Sequence, residues 1–312
     1  MEDTTRSVAV IMLEEVAKAP DPREPHAWVP PRGLTTGAAV LASALLVTLL
    51  LVTRRDAPQP PETRRGTTAG PVLAAAADAA GRAPALAPGQ IRHVTVHETI
   101  VDVVTDPTGN QNLEPDHTVS EQWIPADLHA DWHWRFYQDS AGSRLLVSDL
   151  HGPCGSFYPE AHTDPCEESG TWQLPGPSFV ASLPQDPAAM LARLRADAAV
   201  QENDRDQGAW EYAAAALESS ILPPPTAAVV YRGLAGLPGL VVVRGPSRAA
   251  SMIVERIAED TRFRITIDTR TGALLGHQRW QTTAVDGIPA GTLINETRVS
   301  TEVLTRQLPA PS

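Results

Sequence analysis

The stretch FRITIDTRTGALLGHQRW, Phe263–Trp280, decides how the C-terminal half of this chain folds. Phe263, Ile265 and Ile267 alternate with Arg264 and Thr266, the period of a strand with one face buried. Asp268-Thr269-Arg270-Thr271-Gly272 then supplies turn chemistry, with a glycine free to take positive φ, so the stretch reads as a β-hairpin. Neighbouring segments repeat the pattern: Leu240–Arg244 and Ser251–Ile257 before it, Leu293–Val303 after it. The last seventy or so residues therefore read as an antiparallel meander.

Upstream, the signals turn helical. Asp186 and Pro187 in LPQDP suit the N-cap and first position of a helix through AAMLARLRADAA, where Met190, Leu191 and Leu194 share a face. A second helix is expected from Ala209 to Ser220 and a third from about Pro225, carrying Val229, Val230 and Leu234. Farther upstream, IRHVTVHETIVDVV after Gln90 reads as a half-buried strand closed by Asp106-Pro107-Thr108-Gly109-Asn110. A strand pair is expected over Glu121 to Phe136 and Arg144 to Ser148, joined through Ala141-Gly142-Ser143. VLAAAADAAGRA, Val72 to Ala83, is alanine-rich and reads as a helix. Helices between antiparallel strands imply an α+β domain, with a curved sheet packed against central helices.

The N-terminal part has a different character. GLTTGAAVLASALLVTLLLVT, Gly33 to Thr53, holds no charge over a length that crosses about 30 Å of hydrocarbon as a helix. Arg32 and Arg54-Arg55 close its ends, and prolines flank it. No small-x-small cleavage pattern follows, so an uncleaved transmembrane helix is expected rather than a signal peptide. Gly33 and Gly37 have the spacing of a helix-dimerisation contact. SVAVIMLEEVAKA, Ser7 to Ala19, reads as a short amphipathic helix suited to a partner or a membrane surface. The expected organisation is a cytoplasmic tail (1–32), a transmembrane helix (33–53), an Ala- and Pro-rich linker (54–88), an extracytoplasmic α+β domain (89–305) and a disordered C-terminus (306–312).

Lys and Arg near the span do not fix its orientation: Lys18, Arg23 and Arg32 stand on one side, Arg54, Arg55, Arg64 and Arg65 on the other. The spacer and the two cysteines favour the large domain outside. Eleven residues lie between Cys154 and Cys166, in a turn-rich stretch. A disulfide there would restrict the unfolded chain by about 2–3 kcal/mol, and such bridges persist mainly outside the cytoplasm. Two free thiols are the alternative. The net charge of -12 and the single lysine, Lys18, leave no basic run for a phosphate backbone, so no nucleic-acid partner is expected.

LPQDPAAMLARLR, VVYRGLAGLPGLVVV and FRITIDTRTGALLGHQRW together resemble three signatures of an uncharacterised actinobacterial family of single-pass membrane proteins. The resemblance runs over roughly residues 8 to 300. It implies a short cytoplasmic tail, one membrane helix and an extracytoplasmic domain, without implying an activity. The layout also looks like that of membrane-anchored anti-sigma regulators, although the tail has His26 and no cysteine and so lacks their usual zinc pattern. The order of sheet and helices is similar to lipoprotein-carrier and sigma-regulator sensor domains.

Candidate chemistry is sparse. His129, Asp131 and His133 would share one face of a strand and could offer a Zn²⁺ site, with Trp132 and Trp134 on the buried face. A structural reading needs only the tryptophans. His151, Cys154, His162 and Cys166 supply two nitrogens and two sulfurs, but in no standard spacing. Gly-x-Ser-x-Gly, a phosphate loop and His-Glu-x-x-His are all missing. Glu14-Glu15, Glu167-Glu168 and Glu259-Asp260 are sequence neighbours that read as solvated surface. No catalytic residue, cofactor or resident metal is expected. The leading expectation is a membrane-anchored binding or sensing protein, with a regulatory role through its tail. Its partners would be the lipid bilayer, a lipid, peptide or envelope-protein ligand, and a cytoplasmic regulatory protein. The alternatives are a structural envelope protein without ligand and a metal-dependent hydrolase built on His129 and His133.

Overall fold

The Phe263–Trp280 hairpin sits near one edge of a single antiparallel sheet. A computed structural model describes residues 68–106, 108–140, 143–157, 166, 170–199, 204–243, 251–258 and 260–305. Strands β1 (Ile91–Thr105), β2 (Gln111–Pro125), β3 (Asp131–Ser140) and β4 (Ser143–Pro153) form one meander. A second comprises β5 (Val241–Val243), β6 (Ser251–Ile257), β7 (Thr261–Asp268), β8 (Ala273–Gln281) and β9 (Leu293–Leu304). Their order is β4-β3-β2-β1-β9-β8-β7-β6-β5. The two meanders join where β1 pairs β9, from Ile91 opposite Leu304 to Ile100 opposite Asn295.

This topology places β4 and β5, consecutive strands, at opposite edges. At about 4.8 Å per strand, the chain between them must cross about 38 Å. That crossing carries four helices: α2 (Pro177–Ser182), α3 (Pro187–Ala198), α4 (Arg205–Glu218) and α5 (Pro224–Leu234). A further helix, α1 (Gly70–Gly81), precedes β1. Capping follows the sequence: the Asp186 side chain accepts from the Ala189 amide at 2.9 Å, and Asp204 caps α4 by accepting from the Asp206 and Gln207 amides.

The helices cover one sheet face. Val254, Phe263, Ile265, Ile267 and Leu274 of β6–β8 are buried against Leu73 of α1, Met190 and Leu194 of α3, Trp210 and Ala213 of α4, and Val230, Tyr231 and Leu234 of α5. A smaller cluster on the same face joins Val94, Val96, Ile124, Trp132 and Val299 to Phe157 and Ile221. Gly272 sits in the β7–β8 turn at φ 75°, where a Cβ would lie 2.4 Å from the Ala80 nitrogen. Glycine is required there twice over, for its backbone conformation and for the close approach to α1.

The expected fold is corrected. In place of an α+β domain with a curved sheet against central helices, the domain is mostly sheet: nine antiparallel strands with few helices. Among the described residues no helix is long and apolar enough to cross a membrane. The 33–53 segment lies outside those residues, as do the 7–19 segment expected as a helix and the C-terminal 306–312 segment. The polar strands were the ones under-read. Gln111–Ser120, QNLEPDHTVS, pairs along β1 as the first part of β2, and what reads as one strand over Glu121 to Phe136 is β2 and β3 with a turn between them. Inside the stretch expected as linker, α1 is packed into the core, with Leu73, Ala76 and Ala77 inaccessible to solvent.

Candidate functional site

On the helix-bearing face, apolar rows give way to a polar one. Reading across strands in register, Thr118 of β2 faces Glu98 of β1, Glu98 faces Thr297 of β9, Thr297 faces His277 of β8, and His277 faces Ile265 of β7. Thr118 and Thr297 are buried. From above, α4 adds Glu218, whose Oε2 lies 2.8 Å from His277 Nε2, and Asn295 donates from Nδ2 to Glu98 Oε1 at 2.8 Å. The row marks the junction of the two meanders.

The end of α4 is pinned in place. Ser220 leaves the helix at φ 55° and its hydroxyl meets that of Thr301 at 3.1 Å. Arg92 donates to the Ser220 carbonyl, and Ile221 enters the apolar cluster of Val94 and Val299. These contacts fix Glu218 over His277, one turn of chain away.

The electrostatics of the row favour bound protons. Burial raises the Glu98 pKa; the Asn295 hydrogen bond opposes this, and the Glu218 charge reinforces it. For His277, burial is the largest influence and works against the charged ring. The hydrogen bond and charge of Glu218, with Glu98 and Glu211 behind it, outweigh burial and raise the pKa. The Glu98 carboxyl and the His277–Glu218 pair thus stand together at the edge of an apolar surface.

Sequence reasoning missed this constellation. Glu98, Glu218 and His277 are dispersed through the chain and belong to no motif; the only local hint was a carboxylate at an inward position of the β1 strand. The residues weighed as a candidate zinc set do not form one. His129 lies in the turn before β3, with Nδ1 3.3 Å from Asp127, and Asp131 is exposed. His133 lies farther along β3, buried and hydrogen-bonded through Nε2 to Asp149. Trp132 is buried on the other face, as the strand period requires. Among the described residues no three His, Cys, Asp or Glu side chains are placed to hold a metal ion. His162 and the pairs Glu14-Glu15 and Glu167-Glu168 lie outside those residues.

On the face away from the helices, His133 belongs to a cross-strand row of His151, His133, Trp123, His93 and Glu302. Trp123 stacks between His93 at 4.6 Å and His133 at 4.9 Å between ring centroids, and His93 Nδ1 lies 2.8 Å from Glu302. This row braces that face of the β1–β4 half, against which no helix packs among the described residues. Cys154 and Cys166 stand at disulfide distance, with Cα atoms 5.2 Å apart. An open groove between α1 and α5 is lined by Ala77, Arg82, Gln185 and Val229, and is crossed by the Arg232–Asp78 ion pair at 2.8 Å.

Compared with known proteins, the chain matches no protein-family model, and no curated sequence matches it significantly.

Proposed function

We propose that the domain is an extracytoplasmic binding or sensing module, held at the cell membrane, that takes an amphiphilic ligand on the helix-bearing face of its sheet. The observation that carries this reading is the polar row Thr118–Glu98–Thr297–His277, which borders the apolar cluster of Val94, Val96 and Val299 on the same face. Beyond the row, towards the β1–β2 and β3–β4 hairpin ends, the same face bears Ile100, Val104 and Leu145, half-buried or exposed, among the acidic Asp102, Glu114 and Asp116. Apolar parts of a lipid or peptide would lie along these side chains. Its polar group would meet the Glu98 carboxyl and the His277–Glu218 pair. The outside location is supported by the cysteine pair, because bridges of this kind persist in oxidising compartments. The role is binding rather than catalysis. A regulatory output would run through a cytoplasmic protein held by the tail, as the resemblance to membrane-anchored regulators implies.

The test is to strip the full-length protein of lipid, offer it detergent-solubilised envelope lipids and peptides, and identify what it retains by mass spectrometry. Retention that falls in a Glu98→Gln/His277→Gln variant supports the reading. Protein that stays clean in every trial overturns it. Protease added to intact cells tests the location: the large domain should be digested together with a known outer marker. A pull-down with Met1–Pro31 should recover a specific cytoplasmic protein, and empty lanes beside a working control would remove the regulatory output.

A further inference from the structure

The two edges of the sheet are built differently. At one edge, β5 is three residues long and Thr68 bridges to Val241, so little backbone is offered. At the other, β4 runs for eleven residues, and among the described residues β3 is its only strand partner. Edge strands are commonly blunted by lysine, proline or an inward charge, because free N–H and C=O groups invite another strand. Between Ser143 and Leu150, β4 has neither lysine nor proline. Leu145, Leu146 and Val147 instead stand side by side at 65%, 39% and 48% exposure. Arg144 precedes them and Asp149 follows.

A bulge makes this strand complementary to itself. Phe136 pairs with Ser148 and Tyr137 with Leu146, which leaves Val147 as the extra residue. Side chains an odd number of residues apart normally point to opposite faces. Across this bulge they share one: Leu145 and Ser148 lie on the helix-bearing face, Arg144 and Asp149 on the other. Laid antiparallel on a second β4 about an axis midway between Leu146 and Val147, the strand places Leu146 opposite Val147, Leu145 opposite Ser148 and Arg144 opposite Asp149. Each outer pair then matches in face, the centre is apolar, and opposite charges meet at both ends.

We propose that β4 pairs with β4 of a second copy of this chain in that register, continuing one sheet into the next across a closed two-fold axis. Asp149 already accepts from Arg135 and is bonded to His133, so the incoming arginine joins an existing charge cluster. Arg144 is placed for this: its side chain is half-exposed, over the Tyr137 ring and 3.4 Å from Glu121.

The test uses the full-length protein in detergent, oxidised gently as a Leu145→Cys/Ser148→Cys variant. Cross-strand neighbours lie close enough for a disulfide, so a linked dimer is expected on a non-reducing gel. An Arg144→Cys/Ser148→Cys variant, whose positions do not face each other, should give no linked dimer on the same gel. By sedimentation equilibrium the unaltered protein should form dimers that Val147→Lys abolishes, with an unchanged circular-dichroism melt. A monomer mass for the unaltered protein, a dimer that survives Val147→Lys, or linking by the mismatched pair in preference to the matched one would overturn the proposal. None of these outcomes depends on ligand retention at Glu98 and His277.

Discussion

The two halves of the sheet reach a stable face by different means. In the β5–β9 half, inward residues such as Ile265 and Ile267 are wholly buried beneath α1, α3, α4 and α5. In the β1–β4 half the apolar cluster is small, and Trp123 with its flanking histidines braces the opposite face. One half is held by burial under helices, the other by cross-strand side-chain pairs. The polar row at their junction, with Glu218 of α4 over His277, is where the first mechanism stops.

The sharpest way to break this comparison is to cut into each core. Ile265→Ala should cost about 2–5 kcal/mol, as large-to-small changes at buried sites do, and Ile124→Ala in the smaller cluster should fall in the lower part of that range. Urea unfolding followed by both tryptophan fluorescence and circular dichroism should show one shared transition in each variant, because the long β1–β9 pairing ties the halves together. Two separated transitions would mean that they unfold independently.

A smaller effect tests the cysteines, which lie on the β1–β4 side next to β4. If they are bridged, a Cys154→Ser/Cys166→Ser variant should lose about 2–3 kcal/mol; no change under non-reducing conditions would mean that the thiols are free. Smaller again is the cap of α3 over the other half. Removing the Asp186 acceptor with Asp186→Ala should cost about 1 kcal/mol, read as a shift in the urea midpoint.

The junction row should appear in the pH dependence of stability. His277 has a raised pKa in the folded protein, so its contribution is fully present below its unfolded value of 6.5 and is lost as pH rises through the folded value. Glu98 acts with the same sign: its contribution is present below 4.5 and is lost as pH rises above that. Stability should therefore decline on the alkaline side of both values, and Glu218→Gln should reduce the His277 part. Asp106 acts oppositely. Hydrogen bonds from Thr108 and Asn110 hold its pKa at about 2, so its contribution is lost as pH falls below 3.8. Asp106→Asn should remove that acid-side dependence, as a pH series of urea titrations would show.

Much of the β5–β9 half was legible. The Gly272 turn, the Asp186 cap and the alternation of Phe263, Ile265 and Ile267 are local signals, and burial on one face obliges them to be strong. The β1–β4 half was harder because its strands carry polar residues on both faces. Pro115 makes Gln111–Ser120 look like a loop. It is tolerated because β3 pairs β2 only from Thr118 to Trp123, which leaves the β2 backbone free on that side at Pro115. The turn between β2 and β3 was masked by apolar and aromatic residues on either side of it.

By itself, then, the sequence determined the β7–β8 hairpin, the start of α3 at Pro187 and the cysteine spacing, since each depends on residues within one or two turns of chain. It also carried the uncharged 33–53 segment, for which a membrane span is an expectation from composition alone. Only the tertiary structure decided that the first and last strands meet in the middle of one sheet. That single pairing brings Glu98, Thr297 and His277 into one row and leaves β4 at an edge. Pairing between distant strands depends on how the whole set of faces can be buried at once, and no local window of residues contains that information.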